Sequence, residues 1–151
     1  MIVSAQRLRL IRPVEPFEER STAYGLTYGL GPAGYDCRIA ETVELEAGEF
    51  ALASTIEHFT MPNNLLGVVH DKSTLARLGI ATQNTVIEPG WKGFLTLELT
   101  NHSKHKVIIQ AGVPICQVVF HWLDFATENP YDGKYQDQEA GPQKARFKSK
   151  P

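Results

Sequence analysis

Ser73 and Arg77 stand four residues apart in "HDKSTLARLGI" (70–80), a spacing that puts both on one face of a helical turn. Ser73 reads as the N-cap of that turn and Gly79 as the residue just past its end. Leu75 and Leu78 then point the other way, towards a core. The turn gathers a hydroxyl, a guanidinium and free backbone N–H groups on one surface, a chemistry suited to a phosphate. The same residues equally describe a capped surface turn with solvated charges.

Glu98 is the second candidate. In "GFLTLELTN" (93–101) strand alternation sets Leu95, Leu97 and Leu99 on one face and Phe94, Thr96, Glu98 and Thr100 on the other. A carboxylate in mid-strand is either on solvent or in a lined pocket. In a pocket, desolvation raises its pKa towards the range useful for general acid–base work, typically worth roughly 10²–10⁴-fold in rate. Ten residues earlier, in "NTVIEPGWKG" (84–93), Glu88 precedes the turn signal Pro89-Gly90, with Trp91 just beyond. Glu88 is either a turn residue or a second carboxylate of a small-molecule site. Trp91 is either a cover for a sugar or base, or an aromatic at the edge of the core.

The elements that must position these residues are mostly strands. "ETVELEAGEFALAST" (41–55) is two β-rich runs broken at Ala47-Gly48, and "NLLGVVH" (64–70) runs straight into the helical turn. "KVIIQAGVPICQVVFHWL" (106–123) holds two apolar runs around Gly-Val-Pro and reads as a hairpin. "GLTYGLGPAG" (25–34), with its glycines and proline, reads as a loop. Short strands with frequent Gly and Pro and almost no long helical period predict a compact all-β barrel or sandwich carrying one short helix.

At 151 residues the chain is long enough for a real core without disulfide or metal staples. A formal net charge of -2 with 21% charged residues argues against general nucleic-acid or membrane binding. No apolar run reaches transmembrane length and "MIVSAQRLRL" lacks a signal-peptide core, so a cytoplasmic location is expected. Cys37 and Cys116 lie in no C-x-x-C or H-x-E context and read as small buried side chains. From about residue 124 the chain turns polar, and "TENPYDGKYQDQEAGPQKARFKSKP" (127–151) reads as a tail that is flexible unless something orders it. Its end is basic through Lys144, Arg146, Lys148 and Lys150, either simply solvated or able to close over an anion.

Five separated blocks carry a family resemblance: "AGYDCRI" (33–39), "DKSTLARLGI" (71–80), "IEPGWKGFLTLELTN" (87–101), "GVPICQVVF" (112–120) and "PYDGKYQDQ" (130–138). In this order they resemble the dCTP deaminase and dUTPase superfamily, closer to the dCTP deaminase branch. The resemblance implies a distorted β-barrel or jelly roll of the dUTPase type, with 1–123 as the barrel and 124–151 as a tail closing over the nucleotide site. It also implies a homotrimer with active sites between subunits.

By that resemblance Ser73 is the hydroxyl near the reacting centre and Arg77 a positioning cation. Lys72 takes the place of a usual phosphate-binding arginine, keeping the charge without the bidentate fork. Tyr131, Lys134, Tyr135 and Gln138 match positions that contact the triphosphate or close the lid, and Gln117 matches a nucleotide-pocket position. Glu98 matches the glutamate of zinc-independent deamination, while the H-x-E and P-C-x-x-C apparatus of zinc deaminases is absent from the sequence. Glu88 matches the carboxylate that orients water at the α-phosphate in dUTP hydrolysis, where aspartate is usual, with Mg²⁺ on the phosphates.

The implied activity is deamination of dCTP to dUTP, with a deoxycytidine or deoxyuridine nucleotide as ligand, Mg²⁺ carried by the triphosphate and no zinc. Two alternatives stand beside it: a bifunctional enzyme or dUTPase that yields dUMP, and a catalytically silent nucleotide-binding regulator. The link "GIATQNTVIE" (79–88) is about two residues shorter than in either branch, a loss that preserves strand alternation.

Overall fold

Strand formation follows the Gly- and Pro-punctuated pattern closely. In chain order the elements are α1 (Ala5–Ile11), β1 (Val14–Glu15), β2 (Ser21–Ala23), β3 (Leu26–Gly31), β4 (Gly34–Arg38), β5 (Val43–Leu45), β6 (Phe50–Thr60) and β7 (Leu65–Asp71). There follow α2 (Ser73–Arg77), β8 (Ile80–Thr82), β9 (Val86–Ile87), β10 (Lys92–Asn101), β11 (Val107–Ile109) and β12 (Pro114–Trp122). The computed structural model describes residues 1–147, so Lys148 and Lys150 of the basic tail lie outside the described residues.

A four-stranded sheet ordered β1-β6-β10-β8 and a six-stranded sheet ordered β2-β3-β4-β12-β7-β9 enclose a single core, with β5 and β11 as a separate pair. An Ile39–Thr55 bridge joins the two sheets where β4 runs past β6. The result is the distorted, curled barrel expected from the sequence. Leu97 and Leu99 of β10 are fully buried, as are Leu45, Phe59, Ile115 and Phe120. Each such side chain contributes roughly 1.5–3 kcal/mol through burial.

Several local expectations are corrected. The stretch 25–34 is no loop, because β3 and β4 form a hairpin with Gly31 paired to Gly34. Its glycines serve close approach: a Cβ on Gly29, whose φ is +84°, would stand 2.5 Å from the Glu19 carbonyl oxygen. The run 106–123 is no hairpin either. β11 pairs with β5, while β12 inserts between β4 and β7, so Gly112-Val113 is a passage between sheets. That passage is held at Ile39, whose C=O accepts from Gly112 and whose N–H donates to Val113.

In α2 the N-cap is Lys72, and Ser73 is the first helical residue; Gly79 follows the end with φ +87°, as read. Leu75 enters the core but Leu78 is exposed, since five residues make too short a helix to bury both. A second helix, α1, was not foreseen; it closes the N-terminal end with Leu8 buried. On β10 the alternation breaks at a register shift between Phe94 and Thr96, where β6 carries extra residues. Leu95 is therefore only half-buried, apart from Leu97 and Leu99.

Candidate active site

The bulge opposite Phe94 and Thr96 turns the middle of β10 towards a cleft of about 490 Å³. Its wall includes Leu95, Thr96 and Glu98 from β10, with Phe50 and Leu52 at the start of β6. Glu98 is half-buried there, and burial pushes its carboxyl above the usual glutamate range. Of the two settings that strand alternation allowed, the structure selects the pocket.

The backbone of Glu98 is fixed on the β8 side. Its C=O accepts from the Gln83 N–H at 2.9 Å, and its N–H donates to the Asn84 side-chain oxygen at 3.0 Å. Glu88 shares the same cleft from an exposed position. Trp91 is buried, an aromatic at the edge of the core, and is also among the residues that line the cleft.

The polar tail packs over the opening. The Trp91 indole N–H donates to the Tyr135 carbonyl at 2.6 Å, and Tyr135 in turn donates from its backbone to the Tyr131 hydroxyl at 3.1 Å. Gln138 is buried and lies along β10, accepting from the Phe94 N–H at 2.9 Å. Its side-chain amide donates to the Phe94 carbonyl at 2.8 Å and to the Thr96 hydroxyl at 3.0 Å. Gly93 makes this approach possible: a Cβ there would stand 2.7 Å from the Gln138 nitrogen. Arg146 closes the tail on itself, its backbone N–H bonded to the Tyr135 hydroxyl.

The structure thus brings together Glu98, Glu88, Trp91, Tyr131, Tyr135 and Gln138. It leaves Lys134 outside the lining, with its ammonium 5.2 Å from the Tyr135 ring centre. Four more candidates form a second group away from the cleft wall. Lys72 sits in a mostly buried ion pair with Asp36 at 2.8 Å. Gln117 faces Asp36 across the β4–β12 ladder, and Ser73 and Arg77 stand exposed on α2 next in sequence to Lys72.

Several contributors escaped the sequence reading. Asn84, the Thr96 hydroxyl and Gln143 all shape the cleft, and Asp36 neutralises Lys72. For Asn84 a signal existed, an amide at the point where a strand has to end. Gln143 stands in a polar tail where nothing distinguishes it. Cys37 and Cys116 are free, buried and opposite each other on β4 and β12, with burial pushing the Cys37 thiol far up. Among the described residues no group of three or more His, Cys, Asp or Glu is placed to hold a metal.

The chain is similar in sequence and in fold to known proteins. Residues 36–123 fit the family model described as dCTP deaminase-like. A dCTP deaminase from Gemmatimonas aurantiaca is 36% identical over 158 residues, covering 83% of this chain and 86% of that protein. A protein of Methanoregula boonei named dCTP deaminase, dUMP-forming, is 38% identical and covers 70% of this chain and 61% of its own length. Among solved structures, the EIAV dUTPase superposes with a TM-score of 0.56 at 21% identity, over 67% of this chain and 84% of that one. The dUTPase of Staphylococcus bacteriophage 80alpha gives 0.59 at 18% identity, over 79% and 92%. On this fold, these blocks and this degree of identity, the chain belongs to the dCTP deaminase-like family.

Proposed function

We propose that the protein deaminates dCTP to dUTP by hydrolysis, with Glu98 as the acid–base group. The observation that carries this reading is a half-buried carboxylate of raised pKa, fixed by its backbone on the wall of a cleft that the tail overlies. Such a group takes a proton from water as water adds to C4 of cytosine and passes it to N3. It then relays the hydroxyl proton to the amine, the C4–N bond breaks and ammonia leaves. Cytosine and water give uracil and ammonia, and Glu98 ends as it began.

The other roles follow from the same proposal. Tyr131, Lys134, Tyr135 and Gln138 hold the closed tail against the triphosphate, and Trp91 anchors that tail. Ser73, Arg77 and Gln117 reach the cleft of a neighbouring copy, and Lys72, paired with Asp36, holds the start of α2, which presents Ser73 and Arg77. What supports a homotrimer of this kind is the division of the candidates into two groups on one chain, each incomplete alone. A nucleotide ligand is supported by the 80alpha dUTPase solved with dUpNHpp.

Mg²⁺ enters the proposal on the phosphates of the nucleotide; a mutant of the phage phi11 dUTPase, whose structure reveals the coordination of a structural Mg(II) ion, supports the presence of Mg²⁺ with this fold. The donors fit an ion that binds phosphate oxygens, waters and a single carboxylate, since the cleft offers Glu88 beside the Glu98 that serves the base. When bound it neutralises phosphate charge. No helix among the described residues is long and apolar enough to cross a membrane.

Glu98→Gln is expected to abolish ammonia release from dCTP while calorimetry shows dCTP still bound. Undiminished turnover by that variant would remove Glu98 from the mechanism. A second reading has its own observation: Glu88 lies in the same cleft, so cleavage onward to dUMP has a carboxylate available. Glu88→Gln separates the two, because it stops dUMP formation and spares deamination.

A further inference from the structure

The ladder between β8 and β10 ends at Thr82 paired with Leu99, and Gln83 adds one more backbone bond to Glu98. The chain then leaves this sheet, and by Val86–Ile87 it is paired with β7 in the other one. The crossover takes only Gln83, Asn84 and Thr85. It would strand two groups of β10 that point to the same edge, the Glu98 N–H and the Thr96 C=O. Backbone groups left unpaired where water is largely excluded are destabilising, so each needs a partner.

The Asn84 side chain satisfies both. Its oxygen accepts from the Glu98 N–H at 3.0 Å, and its nitrogen donates to the Thr96 carbonyl at 2.7 Å. One primary amide thus stands in for a missing peptide unit of the ladder. The partners fix which end of the amide is oxygen, because one is a donor and the other an acceptor. Aspartate would present a second oxygen to the Thr96 carbonyl, and serine is too short to reach both.

Thr96 is also where the tail meets the strand. Its hydroxyl accepts from the Gln138 side chain and from the Gln143 N–H, at 3.0 and 3.1 Å. The crossover and the tail therefore grip the same strand residue from two sides, two positions before Glu98. We propose that Asn84 is the positioning residue of Glu98, holding segment 96–98 of β10 at the geometry that aims the carboxylate into the cleft. The catalytic part of this inference rests on the deamination reading above; the structural part does not.

Amide hydrogen exchange and steady-state kinetics on the full chain test it together. In Asn84→Ala the Glu98 amide is expected to exchange about tenfold faster, the scale of one lost hydrogen bond. The Leu97 and Leu99 amides, on residues paired with Ala53 and Ala51 of β6, keep their rates. Per folded enzyme, kcat for dCTP falls about 100-fold with KM within a factor of about two, the effect of a misplaced group and not of lost binding. Asn84→Asp keeps an oxygen for the Glu98 N–H and is expected to keep that amide slow. Asn84→Ser gives the alanine signatures should the alanine variant not fold.

An unchanged Glu98 amide, exchange that rises equally at Leu97 and Leu99, or an unchanged kcat overturns the assignment. If the unsubstituted protein leaves dCTP intact, the deamination reading falls, and the exchange pattern, which needs no substrate, decides the clamp alone.

Discussion

The Lys72 ammonium lies 2.8 Å from the Asp36 carboxylate and 3.2 Å from the Thr27 hydroxyl, with only 10% and 14% of the two charged side chains exposed. This pair ties the start of α2 to β4. It also spends the lysine's charge locally, so the free cation of "DKSTLAR" is Arg77, which is exposed and in no ion pair among the described residues. Arg77→Ala is expected to raise KM for dCTP roughly 10–100-fold, the scale of a lost charge-assisted hydrogen bond. Lys72→Met is expected to lower the melting temperature. Steady-state kinetics and thermal melts on both variants check this, and a larger KM effect at Lys72 than at Arg77 would reverse the assignment.

The raised pKa of Glu98 gives a pH dependence whose sign can be worked out. A base must be ionised before it acts, so activity falls as pH drops through a value above the ordinary glutamate range. Stability runs the other way. A carboxyl whose folded pKa exceeds its unfolded one favours folding below the unfolded value, and that contribution is lost as pH rises through the folded one. Glu98→Gln should therefore melt higher than the parent at pH 8, with the difference shrinking towards pH 4. Melting curves across that range test it, and a lower melting temperature for the variant at pH 8 contradicts it.

Arg38 and Glu57 form the most enclosed ion pair, with Glu57 fully buried and bonded to both the Arg38 guanidinium, at 3.0 Å, and its backbone N–H, at 2.9 Å. Burial pushes the Glu57 carboxyl up, against the pull of Arg38. Removing one partner leaves a buried charge alone, so Arg38→Ala should cost about 3–5 kcal/mol. The double variant Arg38→Met, Glu57→Leu should lose less than the two single changes added together. Denaturant unfolding of the four proteins gives the coupling, and strict additivity contradicts it.

Gly93 has a φ of +145° and leaves no room for a Cβ against the Gln138 backbone. Gly93→Ala should push the tail off β10 and break the bond between Phe94 and Gln138. Tryptic cleavage after Lys134 is then expected to speed up several-fold, while the barrel stays resistant. Equal cleavage rates in the two proteins would show that the tail does not depend on this contact.

How much of this was legible in the sequence depends on the range of the interaction involved. The strands of 41–55, 64–70 and 93–101 were, because alternation and Gly/Pro breaks act locally. The partner of "KVIIQ" was not, since a nearby apolar run and a distant one look alike until the sheets assemble. The glycines at 29, 31 and 34 misled for a related reason: a residue chosen for close approach inside a sheet looks like one chosen for a turn. In the site, Glu98 could be placed on a strand face but not in a pocket, because the cleft wall is completed by residues distant in sequence, Phe50 and Leu52 of β6 and Tyr131 to Gln143 of the tail. The sequence shows Lys72 as a charge beside Ser73, but its neutraliser Asp36 is brought to it only by the barrel.

The most direct test of the central claim is product analysis. The purified protein is incubated with Mg²⁺ and dCTP, and separately with dUTP, beside Glu98→Gln, and the nucleotides are resolved by ion-exchange chromatography. Deamination with Glu98 at its centre predicts dUTP from dCTP in the parent and none in the variant. Unchanged dCTP in the parent, or equal conversion by the variant, contradicts it.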